Sequence, residues 1–180
     1  MKKISCIVVM PENASKVKIE AVKSYGGKIV FCEPTISARE MKVQELIDEY
    51  KYTFIHPFDD YSVIAGQGSI ACELESQLQK PLDKLLIPVG GGGLISGISF
   101  FAKKNGGIAS TIIGAEPETA RDATDSFYSK THVTDYKPMT IADGLRATLG
   151  VKNFEIILKN VDEFITCLLY TSPSPRDPRE

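Results

Sequence analysis

The residues with the clearest chemical meaning are four consecutive glycines, Gly90 to Gly93, followed by Leu94. The apolar run Leu85 to Val89 predicts a strand, and the residues after the glycines predict a helix, so the stretch is a predicted strand-to-helix turn. Residues without a Cβ atom leave backbone N–H groups bare, and the positive end of the helix lies at the same place. This arrangement suits an anion, most often a phosphate.

A tight turn that binds nothing is the plainest alternative, but a single glycine would satisfy it. Four glycines in a row lose considerable chain entropy on folding, which favours a close approach of the backbone to a ligand. Two common phosphate motifs are excluded, because no Gly-Lys-Ser/Thr follows the turn and no G-x-G-x-x-G spacing begins at Gly90. The sequence therefore predicts a phosphate-binding turn with no lysine of its own.

A second candidate site follows the predicted strand Thr111 to Ala115, where Glu116 and Asp122 stand on either side of Ala120. The carboxyl ends of parallel strands are common positions for functional sites. Two carboxylates with a carbonyl between them offer hard oxygen ligands for Mg²⁺ or Ca²⁺. The spacing alone favours instead a charged helix start, in which acidic residues complement the helix macrodipole.

A third candidate is formed by Gly66, Gly68 and Ala71, which match the G-x-G-x-x-A spacing of a dinucleotide site. The run before them, Tyr61 to Ala65, is too short for a convincing strand, and no acidic residue ends a following strand about 20 positions later. We therefore interpret this segment as a helix entry. A nucleotide-binding oxidoreductase is the competing hypothesis.

Composition limits the classes of function. The 180 residues carry a net charge of −2 without any basic block, which argues against nucleic acid or an anionic membrane as a partner. No apolar run reaches the length of a membrane span and no cleavage site follows the apolar N-terminus, so the cytoplasm is the expected location. Four scattered cysteines and two histidines indicate neither a zinc site nor a disulfide framework.

The segments that must position these groups alternate between strand and helix. This alternation predicts an α/β fold with a mostly parallel sheet and helices on both faces. The predicted segments are Ile4–Met10, Ala14–Tyr25, Lys28–Cys32, Ser37–Tyr50, Tyr52–Ile55, Ser69–Leu78, Leu85–Val89, Leu94–Lys104, Thr111–Ala115, Phe154–Asn160 and Phe164–Ile165. Asp59 and Asp60 are predicted to cap a short helix. Asn105-Gly106-Gly107 is a predicted helix stop, and the proline-rich residues from Tyr170 onward are a predicted disordered tail.

Five motifs occur in an order that resembles the pyridoxal-phosphate enzymes of fold type II, in particular the branch of threonine/serine dehydratases and serine racemases. The motifs are Val8-Val9-Met10-Pro11, Ala65-Gly66-Gln67-Gly68, Pro88 to Leu94, Ala115-Glu116-Pro117 and Thr140 to Gly144. The match runs from about Ile4 to about Ile165. The ordered series is more specific than any one of its members.

The resemblance implies that pyridoxal 5′-phosphate is the cofactor and that the glycine turn holds its phosphate, in agreement with the chemistry of the turn. The implied cofactor contacts are Gly90, Gly91, Gly92, Gly93, Leu94 and Gly144, the last of them near the pyridine ring. It also implies that residues 1–55 belong to a small αβ domain and residues 56–167 to a large cofactor-binding domain. Residues 168–180 fall outside the family pattern, and a homodimer is expected for the full-length parent.

The resemblance also bears on the acidic candidate site. In racemase-type members, a divalent cation is bound through residues that match Glu116, Ala120 and Asp122, so Mg²⁺ or Ca²⁺ is an implied second cofactor. Phe58 stands where racemase-type members often have asparagine, and Pro57-Phe58-Asp59-Asp60 is more similar to a dehydratase.

The implied reaction is the loss of the β-hydroxyl from a small hydroxy amino acid, L-threonine or L-serine, to give a 2-oxo acid and ammonia, in a branch that also contains serine racemases. It needs a lysine that forms a Schiff base with the cofactor. In the family that lysine lies upstream of the segment matching Ile4, and no lysine here lies in a suitable position. We therefore expect an internal fragment that is inactive alone, with no catalytic residue. A non-catalytic phosphate-ligand-binding or regulatory module of the same fold is the competing hypothesis.

Overall fold

The computed structural model of the chain describes residues 4–104 and 108–168. Contacts divide the chain into two compact units, an N-terminal unit that ends at Phe54 and a C-terminal unit that begins at Ile55. The predicted helix stop at Asn105-Gly106-Gly107 and the predicted tail from Tyr170 lie outside the described residues. No helix within the described ranges combines the length and the apolar composition needed to cross a bilayer.

The N-terminal unit is a parallel strand pair with two helices. Its elements are β1 Ile7–Pro11, α1 Lys16–Ser24, β2 Lys28–Cys32 and α2 Ile36–Tyr50. β1 pairs with β2 in a register that places Val9 opposite Val30. The buried Cys32 thiol donates to the Met10 carbonyl at 3.5 Å across this pair. Cys32 is therefore a reduced core thiol in this unit.

The C-terminal unit is built on a three-stranded parallel sheet with the order β3-β4-β5. Its elements are α3 Tyr61–Gln67, α4 Ser69–Gln77, β3 Leu82–Pro88, α5 Gly93–Lys104, β4 Ala109–Pro117, α6 Asp122–Ser129, a single 3₁₀ turn Asp143–Leu145, α7 Val151–Asn160 and β5 Glu163–Cys167. The predicted α/β class with parallel sheets is confirmed.

Helix α5 lies at the centre of this unit, in contact with α3, α4 and α7 and with strands β3 and β4. Its residues Ile95 and Ile98 are buried in one core with Ile112 of β4 and Ile157 of α7. Fully burying such a side chain stabilises the fold by about 1.5–3 kcal/mol. The core therefore holds the first turn of α5, which follows the four glycines, in a fixed position.

The predicted strand Tyr52–Ile55 is wrong. The residues from Lys51 to His56 are not part of a helix or strand, and Tyr52, Phe54 and Ile55 are 45%, 52% and 68% exposed. Aromatic and β-branched residues favour strands only where a neighbouring strand supplies hydrogen bonds and packing. No strand in the described part of the chain pairs with this segment.

The segment from Gly66 to Ala71 is a junction between two helices, as its interpretation as a helix entry predicted, and it does not follow a strand. A Cβ atom on Gly97 of α5 would lie 2.6 Å from the backbone nitrogen of Gly68, and one on Gly68 would lie 3.1 Å from the Gly97 carbonyl oxygen. These glycines allow the α3–α4 junction to pack directly on α5. The dinucleotide hypothesis therefore lacks the strand-to-helix turn that it requires.

Candidate functional site

The four glycines connect the end of β3 to the start of α5 and line a cleft of about 320 Å³. Three loops contribute to this cleft: the segment at Pro57 and Phe58, the glycine turn, and the segment from Gly144 to Ala147. The six predicted cofactor contacts, Gly90, Gly91, Gly92, Gly93, Leu94 and Gly144, all line it. The structure thus brings them together, and their binding of a cofactor stays a prediction.

Packing within the protein explains why the turn is made of glycine. A Cβ atom on Gly91 would lie 2.5 Å from ring carbons of Phe58, and one on Gly90 would lie 3.0 Å from the Gly144 carbonyl oxygen. Gly92 has φ +89°, a conformation that L side chains rarely adopt, and a Cβ there would lie 2.8 Å from Asn153 Cβ. Neighbouring protein atoms therefore occupy the space that side chains at these positions would fill. From the sequence alone, we expected a ligand to lie there.

The backbone N–H groups of the turn are what make it chemically suited to an anion. Gly90, Gly91 and Gly92 donate their N–H groups to no acceptor within residues 4–104 and 108–168. They precede α5, a helix of 12 residues whose positive end lies at the cleft. Several open donors at a helix N-terminus form a binding site for a phosphate.

Asp59 ties the loop beside the cleft to helix α7. Its carboxylate accepts hydrogen bonds from the backbone N–H groups of Val151 at 3.2 Å, Lys152 at 3.0 Å and Asn153 at 3.4 Å. A Cβ atom on Gly150 would lie 2.5 Å from this carboxylate, so glycine permits the approach. Asp60 caps α3 as predicted, but the prediction that Asp59 caps the same helix is wrong.

Asn153, which the sequence analysis did not single out, connects α7 to the glycine turn. The residue is fully buried, and its Nδ2 donates to the Gly91 carbonyl at 2.9 Å and to the Phe58 carbonyl at 3.0 Å. The Gly150 N–H donates to the same Gly91 carbonyl at 3.1 Å. The signal in the sequence was that Asn153, a polar residue, shares the inward face of α7 with the apolar Ile157.

The acidic candidate site is buried between the end of β4 and the start of α6. Glu116 and Asp122 are each 2% exposed and Ala120 is 1% exposed. Glu116 accepts hydrogen bonds at 2.7 Å from both the backbone N–H and the hydroxyl of Thr124, and Asp122 accepts one at 2.7 Å from the Leu149 N–H. No cluster of three or more His, Cys, Asp or Glu side chains suited to a metal occurs in the described ranges.

Burial dominates the electrostatics of this pair. It raises the pKa of Glu116 to about 7, with help from the Asp122 charge and against the hydrogen bonds from Thr124. Burial also raises the pKa of the Asp122 carboxyl, and the Leu149 N–H opposes that shift. A bound cation would favour the charged forms of the two carboxylates. Carboxylate and carbonyl oxygens are also the ligand types that a hard divalent ion prefers.

No lysine lines the cleft among the described residues. Lys103, in the last turn of α5, pairs with Asp162 at 2.7 Å. Lys152 donates to the Asp59 carbonyl at 3.1 Å and lies 5.2 Å from the centre of the Tyr61 ring. Both lysines are engaged in contacts within the fold.

Comparison with known proteins gives consistent matches. The family model for pyridoxal-phosphate dependent enzymes matches residues 1–168. A serine racemase of Dictyostelium discoideum is 43% identical over 166 residues, which cover 90% of this chain and 50% of that protein. A catabolic L-threonine dehydratase of Staphylococcus aureus strain N315 is 36% identical over 163 residues, 90% of this chain and 46% of that protein. The structure of maize serine racemase matches with a TM-score of 0.86 at 37% identity, over 92% of this chain and 50% of that one. The chain spans about half the length of the curated relatives that it matches.

Proposed function

The chain belongs to the pyridoxal-phosphate dependent enzymes, and from that premise we propose that it is the central part of an ammonia-lyase that dehydrates L-threonine or L-serine to a 2-oxo acid. The similarity to an L-threonine dehydratase and to serine racemases supports this substrate class. The single observation that carries the proposal is the set of open N–H donors of the glycine turn at the N-terminus of α5. They supply what the cofactor phosphate needs.

The residues of the cleft fit the cofactor. The backbone of Gly90 to Gly93 and Leu94 would hold the phosphate, and Gly144 would lie beside the ring. A Cβ atom on Gly144 would meet no atom within 4 Å, so this position borders open space. When bound, the cofactor acts as an electron sink for charge that develops at the substrate Cα. The contribution of the described residues is to anchor and orient it.

The activity is tested in the full-length protein that contains this chain. With pyridoxal 5′-phosphate present, we expect L-threonine and L-serine to release a 2-oxo acid and ammonia, measured with a coupled dehydrogenase. Replacing the cofactor with pyridoxal, which lacks the phosphate, should abolish the activity because the glycine turn then has nothing to hold. Absence of 2-oxo acid from both substrates would overturn the proposed reaction, and formation of D-serine would reveal an additional racemase activity.

A non-catalytic module that binds a phosphate ligand is the second candidate, and it is favoured by the absence of lysine from the described lining of the cleft. Borohydride reduction of the full-length protein with the cofactor separates the two. A lysine carrying the cofactor mass supports the enzyme. Phosphate-dependent binding without such an adduct supports the module, and this chain alone is expected to bind without turnover.

We further propose that Glu116, Asp122 and the Ala120 carbonyl bind Mg²⁺ or Ca²⁺. The support is the burial of both carboxylates beside each other, which raises their pKa values in the absence of a positive charge. Adding either cation should raise the melting temperature of the chain, and Glu116→Gln should remove the effect. Glu118→Gln, which changes an exposed carboxylate two residues away, should keep it. An equal response of the two variants would refute the site.

We propose that residues 1–55 belong to a small domain and residues 56–167 to a large cofactor-binding domain, as the family resemblance implies. For the full-length protein we propose a homodimer in the cytoplasm. Sedimentation equilibrium of the full-length protein tests the dimer, and a monomer at micromolar concentration would contradict it.

A further inference from the structure

The orientation of one peptide group in the glycine turn is held from outside the turn. The Gly91 carbonyl oxygen accepts two hydrogen bonds, from Asn153 Nδ2 at 2.9 Å and from the Gly150 N–H at 3.1 Å. Both donors belong to the start of α7. The start of α7 therefore fixes the direction in which the Gly91 carbonyl points.

This direction determines where the next N–H group points. The peptide bonds of the described chain are trans, and in a planar trans peptide the carbonyl and the following N–H point in opposite directions. With the Gly91 carbonyl held toward α7, the Gly92 N–H points away from α7. Gly92 lines the cleft, and its N–H has no acceptor within the described residues. At φ +89° a glycine is free to sample other conformations unless its neighbours restrain it.

Asn153 holds the Gly91 carbonyl although the oxygen of its own side-chain amide lacks a hydrogen bond. Its Oδ1 is buried and has no hydrogen-bond partner in the described structure. A buried acceptor without a partner is unfavourable, and a leucine of similar size would avoid it. The value of an amide at this position therefore lies in the acceptors of Nδ2, which are the carbonyls of Gly91 and Phe58 and, at 3.5 Å, the Asp59 carboxylate.

We infer that Asn153 is a positioning residue for the phosphate site, which aims the Gly92 N–H into the cleft by holding the Gly91 carbonyl against α7. This inference rests on the proposed function, because it assigns the phosphate of the cofactor as the group that the N–H meets. Asn153 is not among the described residues that line the cleft, so it would act through the Gly91 carbonyl and not by contact with the cofactor. Asp59, which accepts the Asn153 backbone N–H at 3.4 Å, fixes the start of α7 from which Asn153 acts.

The test compares the affinity of the full chain for pyridoxal 5′-phosphate with its affinity for pyridoxal, by equilibrium dialysis. Asn153→Leu should raise the dissociation constant for the phosphorylated ligand about tenfold, the change expected from weakening one hydrogen bond to a charged group. The dissociation constant for pyridoxal should stay within about twofold of the unaltered chain, because the ring contacts are unchanged. Asn160→Leu is the matched control, since Asn160 donates its amide to the Ile156 carbonyl at 2.8 Å at the other end of α7.

A second readout follows the N–H group directly. In ¹H–¹⁵N spectra, the Gly92 amide signal of the unaltered chain and of Asn160→Leu should shift when pyridoxal 5′-phosphate is added. In Asn153→Leu this shift should be lost. If that variant does not fold, Asn153→Ala serves instead, because it removes the N–H donors without adding bulk or charge to this buried position.

The outcomes separate this inference from the proposed function. If the unaltered chain binds both ligands equally, the phosphate site is refuted and the inference fails with it. If the unaltered chain prefers the phosphorylated ligand and the Asn153 variants keep that preference, only the inference is refuted. A selective loss of the preference in the Asn153 variants, with Asn160→Leu unchanged, supports both.

Discussion

Replacing Asp59 with alanine should destabilise the chain by about 2–3 kcal/mol. Three N–H groups in the first turn of α7 would lose their carboxylate acceptor. Loss of a helix N-cap costs about 0.5–2 kcal/mol, and loss of a partly buried negative charge at the positive end of a helix adds about 0.3–2 kcal/mol. Adding the midpoints of these two ranges gives the expected loss of about 2–3 kcal/mol.

The assay is urea denaturation followed by far-ultraviolet circular dichroism, because the chain has no tryptophan to report by fluorescence. Asp59→Asn should recover part of the loss, since its amide oxygen still accepts from an N–H group but carries no charge. Asp60→Ala is the matched control, because Asp60 caps the seven-residue helix α3 through the N–H groups of Ser62 and Val63. A loss for Asp59→Ala no larger than that for Asp60→Ala would refute the long-range cap.

Three further changes test other parts of the structure, each by urea denaturation. Gly92→Ala should cost about 2 kcal/mol or more because φ is +89°, whereas Gly144→Ala, whose Cβ would meet no atom within 4 Å, should cost far less. In a chelating buffer, the Glu116 contribution should lower stability by about 3 kcal/mol from pH 4.5 to 7, because the folded chain holds a proton on Glu116 up to about pH 7 and the unfolded chain releases it near 4.5. Glu116→Gln should lose this contribution and keep only the part due to Asp122, whose pKa is also raised, whereas Glu118→Gln should retain the full pH dependence. Gly97→Ala should destabilise the fold despite its better helix propensity, because the added Cβ would meet the backbone of the α3–α4 junction; an unchanged midpoint would contradict that packing.

Local signals in the sequence were sufficient for most of the strands and helices. Strand β2, predicted as Lys28–Cys32, has those bounds in the structure, and α5 begins one residue before the predicted Leu94. Glycines precede both segments, and apolar residues run through them. The segment Tyr52–Ile55 has the same local character without a pairing strand in the described chain, so composition alone predicted it wrongly.

The contacts that shape the candidate site are not local, and the sequence did not reveal them. Asp59 was assigned to the adjacent helix because caps are recognised by proximity along the chain, yet it caps a helix 92 residues later. The four glycines were interpreted through a ligand, whereas Phe58 and Asn153 occupy the space beside Gly91 and Gly92. The position of the cleft was predictable from the glycines, but the restraints on its backbone were not.

The link between Asp59 and α7 also bears on the order of events in folding. Closing a flexible loop of 92 residues carries an entropic cost of about 4 kcal/mol, which must be met before the contact becomes favourable. The packing of α3 and α4 on α5 and the pairing of β3 with β4 close shorter loops and can form first. We therefore expect the glycine turn to acquire its final conformation late, when α7 docks, so that a ligand that recognises this turn would select chains that have already folded.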